Sequence, residues 1–152
     1  METFLNHTEG KVIEAFFNIL HQDTRYAFDL AGRKNVKIIA KIPLDSGWLS
    51  GKYHKDSTFT GIRSRWSKDD ITTRGELVEK LRKLPTGEQT LAHMALQYCI
   101  AYEQVATVIP GINSVNQLMM NLDSLKYPID PSLVQWLEEF YEKEVEPKNL
   151  VW

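Results

Sequence analysis

The period of the hydrophobic positions changes several times along the chain. Val12 to Phe17 is a short apolar run broken only by Glu14, which reads as a buried strand. Asn18 to Gln22 forms its exit loop, and Asp23 is placed to cap a helix from about Thr24 to Gly32 that buries Tyr26, Ala27 and Leu30. Val36 to Ile42, rich in β-branched residues, is the second strand. Pro43 to Trp66 is a long irregular stretch holding Gly47, Gly51 and Gly61, and loops of this length are usually functional or mobile. Asp70 to Leu84 is a charged amphipathic helix that Pro85 ends. Thr86-x-x-Gln89 has the form of a capping box and opens a helix that puts Leu91, Met94, Ala95, Tyr98 and Tyr102 on one face. Ala106 to Ile109 is the third strand. Ser114-x-x-Gln117 is a second capping box, opening a helix to about Leu125. Asp130-Pro131 places an N-cap before an N1 proline and starts a last helix with Leu133, Trp136, Leu137 and Phe140 inward.

Strands alternating with helices imply an α/β fold with parallel strands and right-handed crossovers. Three such strands with flanking helices suit either a small open sheet or a slice of a (β/α)₈ TIM barrel, which needs about 250 residues when complete. The chain has 152 residues, enough for one domain, here residues 11–152 behind a polar N-terminal tail, 1–10. Its net charge of −2 exerts no general pull on nucleic acid or anionic lipid, so neither is expected as a partner. No apolar run approaches the ~20 residues of a membrane span. Cys99 is the only cysteine, which excludes an intrachain disulfide and fits a reducing, cytoplasmic setting. The N-terminus lacks a basic-then-apolar secretory signal. His7, His21, His54 and His93 show no metal-ligand spacing.

Two strand ends carry the chemistry. After the third strand, Gly111 permits a tight turn and close backbone approach, and Asn113 and Ser114 offer polar groups just before a helix start whose free N–H groups favour an anion. Gln117 and Asn121 lie four apart on one helical face, within reach of one ligand. The alternative is that Ser114 and Gln117 only cap the helix and Asn121 is surface. After the second strand, Gly47 and Gly51 remove side chains where a ligand could approach, Lys52 supplies a cation, and Arg63 and Arg65 bracket Ser64 as planar donors able to fold over an anion. The alternative there is a solvated basic loop.

Together these residues resemble the aldo-keto reductase family. Pro43-Leu44-Asp45-Ser46-Gly47-Trp48-Leu49-Ser50-Gly51-Lys52-Tyr53 is similar to the family's loop after the seventh barrel strand, and Ile109-Pro110-Gly111 with Gln117 and Asn121 to its segment after the eighth. Val12 to Leu20 resembles its sixth strand. The resemblance covers residue 11 to the end and implies NADP(H) or NAD(H) as cofactor. It places Pro43, Leu44, Asp45, Ser46, Gly47 and Lys52 along the pyrophosphate, with Arg63 or Arg65 holding the loop over it. Gly111, Asn113, Gln117 and Asn121 take the adenosine phosphate end, and Glu14 stands where many relatives bond the nicotinamide amide.

The chain departs from the family pattern at Asn113, where relatives often carry a cation or hydroxyl against the 2′-phosphate, which weakens a choice of NADP over NAD. It departs also at Lys41, near the family's stacking aromatic, and at Glu14, a carboxylate in place of an amide. The family's catalytic Asp, Tyr, Lys and His come from its first four strands, to which nothing here corresponds, so no catalytic residue is nominated. The expected function is the C-terminal, dinucleotide-binding part of a carbonyl reductase. A non-catalytic nucleotide-binding module and a truncated relic are the alternatives. A slice of barrel exposes two sheet edges and the face that would fill the interior, so the chain is expected to pair with itself, as a dimer or higher oligomer, or with a chain supplying the missing strands.

Overall fold

Parallel pairing organises the structure, a computed structural model that describes all residues except Thr8, Thr86 and Trp152. Strands β1 (Val12–Phe16), β2 (Lys37–Lys41) and β3 (Val105–Ile109) form one sheet in the order β1-β2-β3. Ala15 lies opposite Ala40, Ala40 opposite Val108, and Lys41 opposite Ile109, with a register shift at Ile38/Ile39. Around the sheet run helices α1 (Glu2–His7), α2 (Phe28–Arg33), α3 (Lys68–Arg82), α4 (Leu91–Ile100), α5 (Val115–Asp123) and α6 (Pro131–Phe140).

Only one face of the sheet is covered. Ala15, Ile38 and Ala40 are buried and join Phe28 and Ala31 of α2 and Met94, Ala95, Tyr98 and Cys99 of α4 in one core. On the opposite face Val12, Glu14, Thr107 and Ile109 stay exposed. Parallel sheets are normally buried on both sides, so this face and the unpaired edge of β3 are exceptional for the class. The face that would fill a barrel interior would be apolar in a simple slice of barrel. Instead the Glu14–Lys41 ion pair at 3.5 Å and Thr107 interrupt it.

Several local expectations change. The first ten residues are not a bare tail: Glu2–His7 is helical, and Leu5 is buried against the core. Asp23 caps nothing; it accepts a hydrogen bond from the Tyr141 hydroxyl at 2.6 Å, and the segment begins as a 3-10 turn, Asp23–Ala27, that leaves Tyr26 exposed. Helix α3 starts two residues before Asp70 because Ser67 caps it, with Ser67 N–H donating to Asp70 Oδ2 and Asp70 N–H to Ser67 Oγ. The Ser67 hydroxyl holds the Asp70 carboxyl below its ordinary value. This cap is therefore complete above the ordinary carboxylate range and is lost as pH falls through the lowered value. The proposed Thr86 cap lies outside the described residues. Helix α4 starts at Leu91, where Thr90 and His93 form the capping box. Trp136 is 40% exposed rather than buried and stacks on Phe140 at 5.2 Å. Among the described residues no helix is long and apolar enough to cross a membrane.

Candidate functional site

All three strands end at the same edge of the sheet, so their following loops start side by side. The register sets Phe16 beside Lys41 and Lys41 beside Ile109. The β2 loop and the entry to α5 therefore leave from neighbouring strand ends, the position at which open and closed parallel sheets hold ligands.

The β2 loop is irregular, as expected, but local contacts fix its turns. It opens with unusual backbone: Ile42 (φ 56°), Asp45 (φ 43°), Ser46 (φ 55°) and Gly47 (φ 102°) occupy the left-handed region. That is uncommon for any side-chain-bearing residue and least expected for a β-branched one, at a cost of about 1–3 kcal/mol each. Local hydrogen bonds offset the strain. Asn18 Nδ2 donates to Ile42 O at 2.9 Å, and Gly47 and Leu49 N–H both donate to Leu44 O, at 2.8 and 3.2 Å. Only glycine suits position 47, where a Cβ would also lie 2.9 Å from the Tyr53 ring.

An aromatic cluster fills the space beneath. Trp48 lies 5.7 Å from Tyr53, 5.5 Å from Phe59 and 5.8 Å from Trp66 in ring-centroid distance, so the loop packs on its own side chains. Helix α3 supplies the platform. Arg82 donates to Gly51 O. At Gly75 a Cβ would fall 2.3 Å from Lys55 N and 2.4 Å from its Cα, so only glycine lets loop and helix touch. Gly75→Ala must push the Lys55 backbone off the helix; the expected loss is about 1–3 kcal/mol, the cost of overpacking, read as a fall of several degrees in Tm by calorimetry.

The nominated residues fare differently. Pro43 is buried and Leu44 half-buried, their backbone shaping the turn. Asp45 does not face the ligand side: it is fully buried, with Oδ1 3.5 Å from His21 Nε2 and Oδ2 3.6 Å from Arg74 Nε. Burial pulls the Arg74 guanidinium below its ordinary value, and Asp45 acts against that shift. Ser46 and Gly47 are half-buried at the bend, and Lys52 is exposed with its ammonium 5.5 Å from the Tyr53 ring centroid. Of the two arginines, Arg63 reaches the loop, its Nε donating to Ser46 O at 3.1 Å. Arg65 turns back on its own segment, bonding Ile62 O and lying 4.4 Å over Trp66.

At the α5 entry, Ser114 caps as expected, accepting from Gln117 N–H at 3.2 Å, but the reciprocal bond is absent among the described residues. Gln117 Oε1 accepts from Asn113 N–H at 2.6 Å instead, which draws Asn113 and Gln117 together. Asn121 is half-buried, and its Nδ2 is a buried donor without a partner among the described residues. Gly111 lies outside the left-handed region, and a Cβ there would meet nothing within 4 Å, so the fold itself does not require glycine at this position. Glu14 sits midway along the edge strand β1 on the open sheet face, held by Lys41. A cleft of about 320 Å³ opens elsewhere, beside Leu20, His21, Asp23 and Tyr141, and no nominated residue lines it.

Sequence reasoning missed Asn18, His21, Arg74 and the aromatic cluster. Arg74 carried a readable signal: it falls on the spacing of Ile71, Leu77, Val78 and Leu81, a charge inside an apolar stripe, where a buried partner is required.

A family model described as the aldo/keto reductase family matches residues 8–142. The aldo-keto reductase yakc [NADP(+)] of Schizosaccharomyces pombe is 27% identical over 111 residues, covering 69% of this chain and 33% of that protein. The chloroplastic pyridoxal reductase of Arabidopsis thaliana is 28% identical over 117 residues, covering 76% and 31%. Among solved structures, the holo form of an aldo-keto reductase from Bacillus halodurans superposes with a TM-score of 0.71 at 24% identity, over 91% of this chain and 45% of that one. A glycerol dehydrogenase from Gluconobacter oxydans superposes with a TM-score of 0.73 at 18% identity, over 95% and 46%. These structural likenesses establish the fold: three parallel strands and their helices match under half of a TIM barrel. The chain spans about a third of the length of the curated relatives it matches.

Proposed function

The chain belongs to the aldo/keto reductase family, and on that premise we propose that it supplies the dinucleotide-binding part of a carbonyl reductase using NADP(H) or NAD(H). The observation that carries this reading is the register of Lys41 opposite Ile109, which starts the β2 loop and the α5 entry from adjacent strand ends. The name of the Schizosaccharomyces pombe relative carries NADP(+).

The residues suit such a ligand. Ser46, Gly47 and Lys52 serve the pyrophosphate, with Arg63 holding the bend through Ser46 O. Asp45, the acid in this bend, is turned into the core, which spares the phosphates its repulsion. Gln117, Asn113 and the unpartnered Asn121 Nδ2 offer neutral donors to the adenosine end, and the space around Gly111 admits close backbone approach. When bound, the cofactor supplies the hydride. Glu14 and Lys41 lie on the open sheet face as a neutralised pair that sets the local charge near the nicotinamide. We place the proton donor in the part of the relatives' length that this chain does not span, on strands that also cover the open face. The partner is then a chain carrying those strands, or a second copy that closes the same surfaces.

Calorimetric titration with NADPH, NADH and 2′-phospho-AMP tests the reading. NADPH and NADH are expected to bind within about tenfold of each other, because Asn113 brings no charge to a 2′-phosphate. Gln117→Ala and Asn121→Ala should each weaken binding by about three- to tenfold, the worth of one hydrogen bond. No heat with any of the three ligands overturns it.

A further inference from the structure

We propose that Asp45 and Arg74, with His21, form a buried latch that holds the β2 loop in the shape that receives a dinucleotide, acting as positioning residues that never touch it. The ligand half of this inference rests on the function proposed above. The latch itself rests on three segments meeting at one carboxylate: the β1 exit loop through His21 Nε2 at 3.5 Å, α3 through Arg74 Nε at 3.6 Å, and the β2 loop that carries Asp45. The C-terminal segment adds a fourth tie, since Arg74 Nη2 donates to Val151 O at 2.6 Å. Asp45 and Arg74 are both fully buried. The guanidinium also lies 5.4 Å from the Trp66 ring centroid, inside the aromatic cluster that floors the loop.

The position of Asp45 in the chain gives the latch its purpose. It is the second of the four left-handed residues, and Ser46 and Gly47 follow directly. Burying the Asp45 side chain anchors the backbone on which Ser46 and Gly47, both half-buried at the bend, are built. Without Arg74 the carboxylate would be an uncompensated buried charge, and the loop's cheapest response is to carry it out to water. That movement relaxes the left-handed turn and breaks the bonds from Gly47 and Leu49 N–H to Leu44 O. The Arg74 contact to Asp45 is at an ion-pair distance rather than a hydrogen-bond distance, and Arg74 Nη2 also lies 3.5 Å from His21 Nε2, so the latch depends on the Asp45–Arg74 charge pair and its burial more than on one aligned donor.

The test is hydrogen exchange at the Gly47 and Leu49 amides, with NADPH titration alongside, in the full chain. In Arg74→Met both amides are expected to exchange at least about tenfold faster, with β2 and α4 protection unchanged, because the opening is local. NADPH binding should weaken by at least about tenfold. In the double variant Asp45→Leu/Arg74→Met both charges are gone and apolar groups refill the space. Nothing then draws the loop out to water, so loop exchange and NADPH affinity are expected to return most of the way to wild type, a rescue that lost Arg74 packing alone would not give. Should Arg74→Met fail to fold while the double variant folds, the uncompensated Asp45 charge is the cause and the latch stands; failure of both to fold overturns it. Unchanged loop exchange in Arg74→Met, or faster exchange with undiminished NADPH binding, overturns the latch. Absence of NADPH binding by the wild type defeats the function reading, and the exchange measurement still decides whether the latch exists.

Discussion

Trp48→Ala is expected to remove about 3–5 kcal/mol of stability, among the largest single-residue losses available to this chain. The indole is fully buried and meets Tyr53, Phe59 and Trp66 by ring contacts of 5.5 to 5.8 Å. Those three residues lie along the segment from Gly51 to Trp66, which contributes one short 3-10 turn, Gly61–Arg65, and otherwise has little regular structure. Removing the indole takes away the surface on which the segment rests. A domain is stable by only about 5–15 kcal/mol, so a loss of this size brings the protein close to unfolding at modest urea. Trp48→Phe separates packing from polarity: Trp48 Nε1 has no hydrogen-bond partner among the described residues, so phenylalanine loses volume and no bond. Its cost should stay near 1.5 kcal/mol or less. Urea denaturation followed by circular dichroism reads both. A loss under about 1 kcal/mol for Trp48→Ala would mean that the loop does not fold cooperatively with the sheet.

The same cluster marks the limit of what the sequence discloses. The strands were legible because Val12–Phe16, Lys37–Lys41 and Val105–Ile109 are short apolar runs between turn residues, and the observed bounds differ by a residue or two. Alternation with helices gave parallel pairing, and the likeness to solved structures agrees. Helix starts were less legible. Thr90 and His93 share the capping geometry, and a histidine at the third position lies outside the usual Ser/Thr-x-x-Glu/Gln signature. Gln117 fits that signature yet bonds Asn113 N–H, because side-chain choice at a cap depends on where the preceding turn leads the backbone. The long loop looked unstructured because ring contacts at separations such as Trp48 to Trp66 leave no periodicity. Asp45 looked like a ligand residue for the same reason: a carboxylate in a glycine-bearing loop reads as exposed until its partner, twenty-nine positions on in α3, is known.

The α5 surface should decide how the chain is completed. A surface helix turns its apolar stripe to the core. Here Val115, Leu118, Met119 and Leu122, at spacing i, i+3, i+4, i+7, face solvent with exposures of 76, 39, 58 and 50%, and Leu125 continues the stripe at 65%. The edge of β3 is also unpaired, and Ile109 on that strand is 49% exposed. Exposed apolar stripes of this kind and open strand edges are the features that recruit partners. The expected result is that the wild type sediments above its 17.6 kDa monomer mass at micromolar concentration, or acquires a partner chain bearing the remaining strands when the two are produced together. Met119→Glu with Leu122→Glu places two carboxylates in the centre of the stripe. Burying both without cations is prohibitive, so association through this face should weaken by at least about a hundredfold while the circular dichroism spectrum stays unchanged. Sedimentation of wild type and variant under the same conditions measures this. A wild-type monomer that neither self-associates nor takes up the remaining strands would remove the case for completion through α5, and association undiminished in the variant would move the interface to β1.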